Sequence, residues 1–265
     1  MKKQPISDIH PFALSEKIYF VGSTRVSVHF LKTTKGLVMI DTGYPDMGEQ
    51  ILDSMEYLGL DPTDICAIVH THAHYDHFGN THLFRKLSGA KTYISRIDNA
   101  VINGSYRKDD INKCLGTDTV PFFDCDVLLE DGDVVEFGDT SIRFLLTPGH
   151  TDGTMTLFIT TTSNGQPMIA AMHGGVGRNT MNLEYLTKYG LSTDCREVFR
   201  QGLHRLASEH VDLVLGNHPP QNDTEGKLAR VLVGESVIDP TEWNRFLTYT
   251  EEKIEAMLAE EAAAK

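Results

Sequence analysis

His72-Ala73-His74-Tyr75-Asp76-His77 places four potential metal ligands within six residues. The cluster closely follows an apolar run at 65–69, Ile-Cys-Ala-Ile-Val, which has the length and content of a buried strand. It therefore falls on a strand-end loop, where a rigid scaffold presents functional side chains. His72 and His74 are two apart, and an extended chain points both to one side. Asp76 and His77 come after the chain turns and can face a second point. The spacing suits one metal held by the first pair and another held by the next. Imidazole and carboxylate ligands suit zinc. Gly79 then permits tight entry into a helix. The bland alternative is a solvated loop with chance histidines. Three copies of a rare residue and an aspartate in so short a stretch argue against it.

A pair of histidines does not complete a zinc site, so further ligands must come from elsewhere. The stretch 147–154, Thr-Pro-Gly-His-Thr-Asp-Gly-Thr, follows a strand-like run at 142–146 and supplies His150. The stretch 216–220, Gly-Asn-His-Pro-Pro, follows another at 211–215 and supplies His218. Each is weak alone, because a loop histidine is more often solvated. Together with the first cluster they form a pattern.

The rest of the chain reads as a mixture of strands and helices. Strand-like runs fall at 18–21, 26–31, 37–40, 65–69 and 91–94, with helices around 51–58 and over 77–87. Further strands fall at 127–129, 134–137, 142–146, 155–161, 168–172 and 211–215. A helix is expected over about 193–210 and another from Pro240, a residue suited to the first helical position, to the C-terminus. Strands come in groups with helices between them, which points to two mixed sheets with helices outside. No solenoid repeat or low-complexity linker interrupts the chain.

The 265 residues carry 24 basic and 37 acidic side chains, a formal charge of −13. That balance disfavours nucleic acid and anionic membranes as partners, leaving a small-molecule substrate as the expectation. It sets no oligomeric state. No apolar run approaches the roughly 18 residues of a membrane span. The opening Met1-Lys2-Lys3-Gln4-Pro5 leads into no apolar stretch, so it is not a secretory signal. A cytoplasmic protein is expected, or a periplasmic or secreted one if a leader has been removed. Cys66, Cys114, Cys125 and Cys195 are scattered and read as free thiols. The tail 261–265, Glu-Ala-Ala-Ala-Lys, continues a helical pattern and reads equally as native or appended.

Over about residues 10–235 the chain resembles the metallo-β-lactamase superfamily. Asp41-Thr42-Gly43, His72-x-His74-x-Asp76-His77, Pro148-Gly149-His150-Thr151-x-Gly153 and Asn217-His218-Pro219 occur in that family's order. The resemblance implies an α/β fold, a four-layer αβ/βα sandwich of two mixed β-sheets flanked by helices. It implies one domain over 1–265, with the core at about 10–235 and a C-terminal helix at about 240–262. It further implies two zinc ions at the sheet edges, the first held by His72, His74 and His150, the second by Asp76, His77 and His218. Asp41 then reads as a carboxylate that orients a ligand.

One departure narrows the substrate. Many members place a metal-bridging aspartate after the strand at 168–172, whereas this chain has His173-Gly174-Gly175-Val176-Gly177. That pattern best resembles the third subclass of true metallo-β-lactamases. The expected activity is cleavage of a cyclic amide, most concretely a β-lactam, by a metal-bound hydroxide, with Asp76 as catalytic residue. Alternatives are a lactone or thioester hydrolase of the same fold and a metal-binding module without catalysis. Arg178 and Asn179 follow the glycine run. Arg178 reads either as a clamp for a substrate carboxylate or as a surface arginine, and Asn179 as lining the site mouth. The segment 103–123 is expected to cover the site. His173 reads as a structural histidine.

Overall fold

The apolar run Ile65–Val69 forms strand β5 and is buried on both faces, as its unbroken hydrophobicity requires. The computed structural model describes residues 7–105 and 120–264. Around β5 one sheet is ordered β1 (Phe12–Ala13), β2 (Ile18–Phe20), β3 (His29–Thr33), β4 (Gly36–Ile40), β5, β6 (Lys91–Ser95) and β7 (Val127–Leu129). Its β1–β4 neighbours run antiparallel and its β4–β7 neighbours parallel. The second sheet is ordered β12 (Leu213–Gly216), β11 (Gln166–His173), β10 (Met155–Ser163), β9 (Ser141–Leu146) and β8 (Val134–Glu136), with only the β11–β12 pair parallel. Both sheets are therefore mixed.

Strand alternation assigns the layers. Val38, Ile40, Ala67 and Val69 of the first sheet meet Phe144, Leu157, Met172 and Leu215 of the second in the central core. The opposite face of the first sheet, with Phe30, Met39 and Ile68, packs on α1 (Gly48–Leu58) and α3 (Thr81–Ser88) through Ile51, Met55 and Phe84. The opposite face of the second sheet, with Phe158, Ala171 and Val214, packs on α6 (Asp194–Leu206) and α8 (Glu242–Ala263) through Phe199, Leu203, Trp243 and Phe246. The result is the expected helix–sheet–sheet–helix sandwich. No described helix is long and apolar enough to cross a membrane. Among the described residues Cys66, Cys125 and Cys195 are free; Cys114 and most of the 103–123 segment lie outside them.

Several boundaries differ from expectation for local reasons. The helix expected over 77–87 is split into α2 (Tyr75–Phe78) and α3. Gly79 donates its N–H to Gly43 O, and a Cβ at Gly79 would lie 2.5 Å from Pro45 N. The strand expected from 26 begins at His29, because Ser27 N donates across to Asn217 O instead of joining the ladder. The helix expected to reach 210 ends at Leu206. Three short helices escaped the periodicity reading: α4 (Arg96–Ile102), α5 (Leu183–Tyr189) and α7 (Thr224–Leu232). Ser95, Asn182 and Asp223 accept from Asp98 N, Tyr185 N and Gly226 N at their starts, which is the N-cap pattern of a polar residue before a helix.

One buried ion pair joins α7, β12 and α8. Lys227 Nζ donates to Val214 O (2.7 Å) and to Glu242 Oε1 (2.7 Å), with only 5% and 15% of the two side chains exposed. Burial pulls the lysine pKa down, against the Glu242 carboxylate. Removing one partner leaves an uncompensated charge. Lys227→Ala is expected to lose about 3 kcal/mol of stability, read as a lower denaturant midpoint; an unchanged midpoint would show that the pair does not hold these elements together.

Candidate metal centre

All six sequence-predicted ligands converge. His72, His74 and His150 form one group and Asp76, His77 and His218 another, with the ligand atoms in each group within 4.8 Å of one another. His72 and His74 leave the end of β5 on extended chain, as their spacing required, and His72 Nε2 lies 3.0 Å from His74 Nδ1. His150 arrives from the end of β9, its ring 4.7 Å from that of His72 and 4.6 Å from that of His74. Asp76 and His77 sit in α2, after the turn. His218 comes from the end of β12, with Nε2 3.6 Å from Asp76 Oδ2. The two groups adjoin, since the His72 and His77 rings are 4.2 Å apart.

Three of the outer ring nitrogens are held by the protein. His150 Nδ1 donates to Gly177 O (2.8 Å), His218 Nδ1 to Arg25 O (2.7 Å) and His77 Nδ1 to Asp41 Oδ2 (2.7 Å). Each bond fixes a tautomer and leaves Nε2 bare, the arrangement that metal-binding histidines show. Asp41 also accepts from Thr71 N and Thr71 Oγ1, both at 2.8 Å. It does so in the left-handed region at φ +58°, a strained place for a non-glycine residue.

Electrostatics favour a cation here. Burial, followed by the neighbouring imidazoles, pushes the His72 pKa well below the ordinary histidine value, and burial with His74 does the same at His150. Both are thus neutral ligands at physiological pH. Burial would lower His77 as well, but the Asp76 and Asp41 carboxylates raise it to about 10. Its Nε2 is buried without a hydrogen bond, 3.4 Å from Asp76 Oδ2. Burial works against the Asp76 carboxylate, yet His77, His218 and His74 hold its pKa far below the usual carboxylate range. The space between Asp41 and Asp76 therefore takes a positive charge, either a proton on His77 or a metal ion. Two neutral imidazoles at His72 and His150, the Asp76 carboxylate and the unbonded His77 Nε2 fit zinc.

The glycine run after β11 has a packing role that sequence reading missed. A Cβ on Gly175 would lie 2.5 Å from His150 Cδ2, and one on Gly177 2.9 Å from His150 Cε1. The loop passes flat against the imidazole, and Thr180 Oγ1 donates to His150 O (2.8 Å). His173 points the other way. Alternation along β11 puts it with Ala171 on the helix-facing side, its ring 5.8 Å from Phe199, and burial lowers its pKa to about 3. His70 bonds within the loop, Nδ1 donating to His77 O. Arg178 Nη1 donates to Lys253 O of α8 (2.9 Å), and Asn179 is exposed.

Beside His74 and His150 opens a cleft of about 280 Å3. Ile97 and Val101 of α4, Leu186 of α5, and Leu191 and Val198 give it apolar walls, while Asp152 and Asp194 are acidic. None of its described lining residues is a lysine or arginine. The cleft suits an apolar, uncharged part of a substrate.

Comparison with known proteins agrees with this architecture. The family model of the metallo-beta-lactamase superfamily matches residues 21–162. Over 146 residues the chain is 30% identical to an uncharacterised protein of Aquifex aeolicus, covering 54% of this chain and 64% of that one. Over 164 residues it is 22% identical to the N-acyl homoserine lactonase of Bacillus thuringiensis, covering 53% and 60%. It thus spans about 60% of the length of these curated relatives. The crystal structure of BJP-1, a subclass B3 metallo-beta-lactamase of Bradyrhizobium japonicum, is similar at a TM-score of 0.86 and 27% identity, covering 99% of this chain and 98% of that chain. With more than half its length matched by the family model and its sheets and helices arranged as in that enzyme, the chain belongs to the metallo-beta-lactamase superfamily.

Proposed function

We propose that the chain is a dinuclear zinc hydrolase that opens cyclic amides, β-lactams foremost. The observation that carries this reading is the make-up of the second ligand group. Asp76, His77 and His218 form it, and β11 contributes no carboxylate, because the strand ends in His173 facing Phe199. The likeness to BJP-1, a subclass B3 metallo-beta-lactamase, supports the same assignment.

The residues divide the work. His72, His74 and His150 would hold the first zinc, and Asp76, His77 and His218 the second. Bound there, zinc would lower the pKa of a water to about 7 and polarise a substrate carbonyl. Asp76 lies between His77 and His218 and keeps its charge at physiological pH, so it can orient a nucleophile as well as hold a cation. Asp41 keeps the His77 ring in register, and the glycine loop does so for His150. The cleft beside His74 takes an apolar substituent of the substrate. Arg178, engaged by α8, is assigned no substrate contact. The similarity to a lactonase favours lactone opening as the second reading.

Three measurements test this proposal. Elemental analysis of metal-replete protein is expected to give close to two zincs per chain; no more than one with zinc in excess would overturn the dinuclear centre. Asp76→Asn keeps the shape and removes the charge. It is expected to lower kcat by roughly 10²–10⁴-fold, the range for a positioned proton-handling group; unchanged turnover would remove Asp76 from the chemistry. Finally, catalytic efficiencies on a chromogenic cephalosporin, an N-acyl lactone and a glutathione thioester separate the substrate readings. The cephalosporin is expected to lead, and chelation to abolish its turnover. Efficient lactone or thioester cleavage with penicillins, cephalosporins and carbapenems left intact would overturn the β-lactam assignment and leave the hydrolase one standing.

A further inference from the structure

Asp98 belongs to none of the motifs above, yet it joins the two loops that carry the first ligand group. It is the third residue of α4, whose N-cap Ser95 accepts from Asp98 N (3.1 Å). Its carboxylate is 1% exposed and accepts three hydrogen bonds. Oδ2 accepts from Ala73 N (2.8 Å), the peptide between His72 and His74. The same oxygen accepts from Thr151 Oγ1 (2.8 Å), next to His150, and Oδ1 accepts from Gly153 N (2.9 Å). All three donors are neutral, and none belongs to a ligand imidazole.

Gly153 is shaped to this contact. A Cβ there would lie 2.4 Å from Asp98 Oδ1 and 2.3 Å from Ser95 Oγ. The start of α4 thus lies directly against the His150 loop, and any side chain at 153 would push the two apart. The loops leave different sheets, β5 in the first and β9 in the second. Within the described hydrogen bonds, Asp98 is the side chain that ties the His72–His74 peptide to the His150 turn.

We propose that Asp98 is the positioning residue of the first metal site, setting His72 and His74 against His150 by bonding to the backbone and side chain beside them. Its carboxylate bonds no ligand imidazole and acts through the loops that carry them. Outer partners that orient ligands are commonly worth 10–100-fold in metal affinity. The inference rests on the metal assignment proposed above.

Competition against a chromophoric chelator, with zinc and with cobalt, tests it. Asp98→Asn replaces one acceptor oxygen with an NH2 group that faces N–H and O–H donors. One of the two metals is expected to bind about 10–100-fold more weakly, with the cobalt d–d spectrum of the His72–His74–His150 site altered and the other site retained. Thr151→Val removes a single donor and leaves the two backbone bonds. It is expected to weaken the same metal by a few-fold, and it serves as the test should Asp98→Asn not fold. Melting of the metal-free variants separates a general loss of stability from this effect, because a merely structural residue would lower the melting temperature without a selective change in one metal. Two metals bound at wild-type affinity with an unaltered cobalt spectrum, in Asp98→Asn or, failing that, in Thr151→Val, would overturn the role of Asp98 alone. A wild-type chain that binds no metal would overturn the metal assignment and this inference together.

Discussion

Buried imidazoles crowded within a few ångströms cannot all be protonated, and the organisation of this protein follows from that constraint. His72 Nε2 and His74 Nδ1 approach to 3.0 Å, and burial with repulsion from the neighbouring imidazoles keeps His72 neutral. A buried ring nitrogen without a partner, as His77 Nε2 is, carries a desolvation cost. That cost is offset when a cation supplies the missing partner. The fold has to hold the rings together against their preference to separate, and it does so by placing His72, His74, His150 and His218 on loops that leave strand ends, with Asp76 and His77 in α2 just beyond.

The anchoring is unequal in kind. On one side Asp41, held in the left-handed region at the end of β4, fixes Thr71 and His77. On the other, backbone does most of the work. Gly177 O receives the His150 Nδ1 proton, and Arg25 O receives that of His218. Backbone acceptors are available only where a loop comes close enough, and glycines at 175 and 177 make that approach possible at His150. The glycine-rich run resembles a phosphate loop in composition, but its physical reason is a flat pass over an imidazole.

Much of this was legible in the sequence. The convergence of the candidate ligands was, because metal chemistry restricts residue type and spacing together; His72, His74 and His150 come together in one group and Asp76, His77 and His218 in another. The buried strands were, because β4 and β5 are apolar on both faces. Elements whose boundaries are set by partners distant in sequence were not. The break between α2 and α3 depends on Gly43 and Pro45, and the late start of β3 depends on Asn217. The short helices α4, α5 and α7 span only two turns or so, too short for a periodic signal, and their N-caps mark them. At α4 the spacing Ser95-x-x-Asp98 is that signal, since serine followed three residues later by an acid marks a helix start.

The same contrast explains why substrate is harder to read than metal. The cleft beside His74 is walled by α4, α5 and the residues leading into and along α6, two of these helices being ones that periodicity overlooked. Its walls need only be apolar and of suitable shape, and Ile97, Val101, Leu186, Leu191 and Val198 satisfy that as many other residues would. A substitution there alters the cleft without touching a ligand. A substitution at a strand end alters the metal centre itself. The strand ends and α2 therefore carry the two ligand groups, whereas the apolar side chains of the short helices can change what the cleft presents without moving Asp98 or the loops it holds.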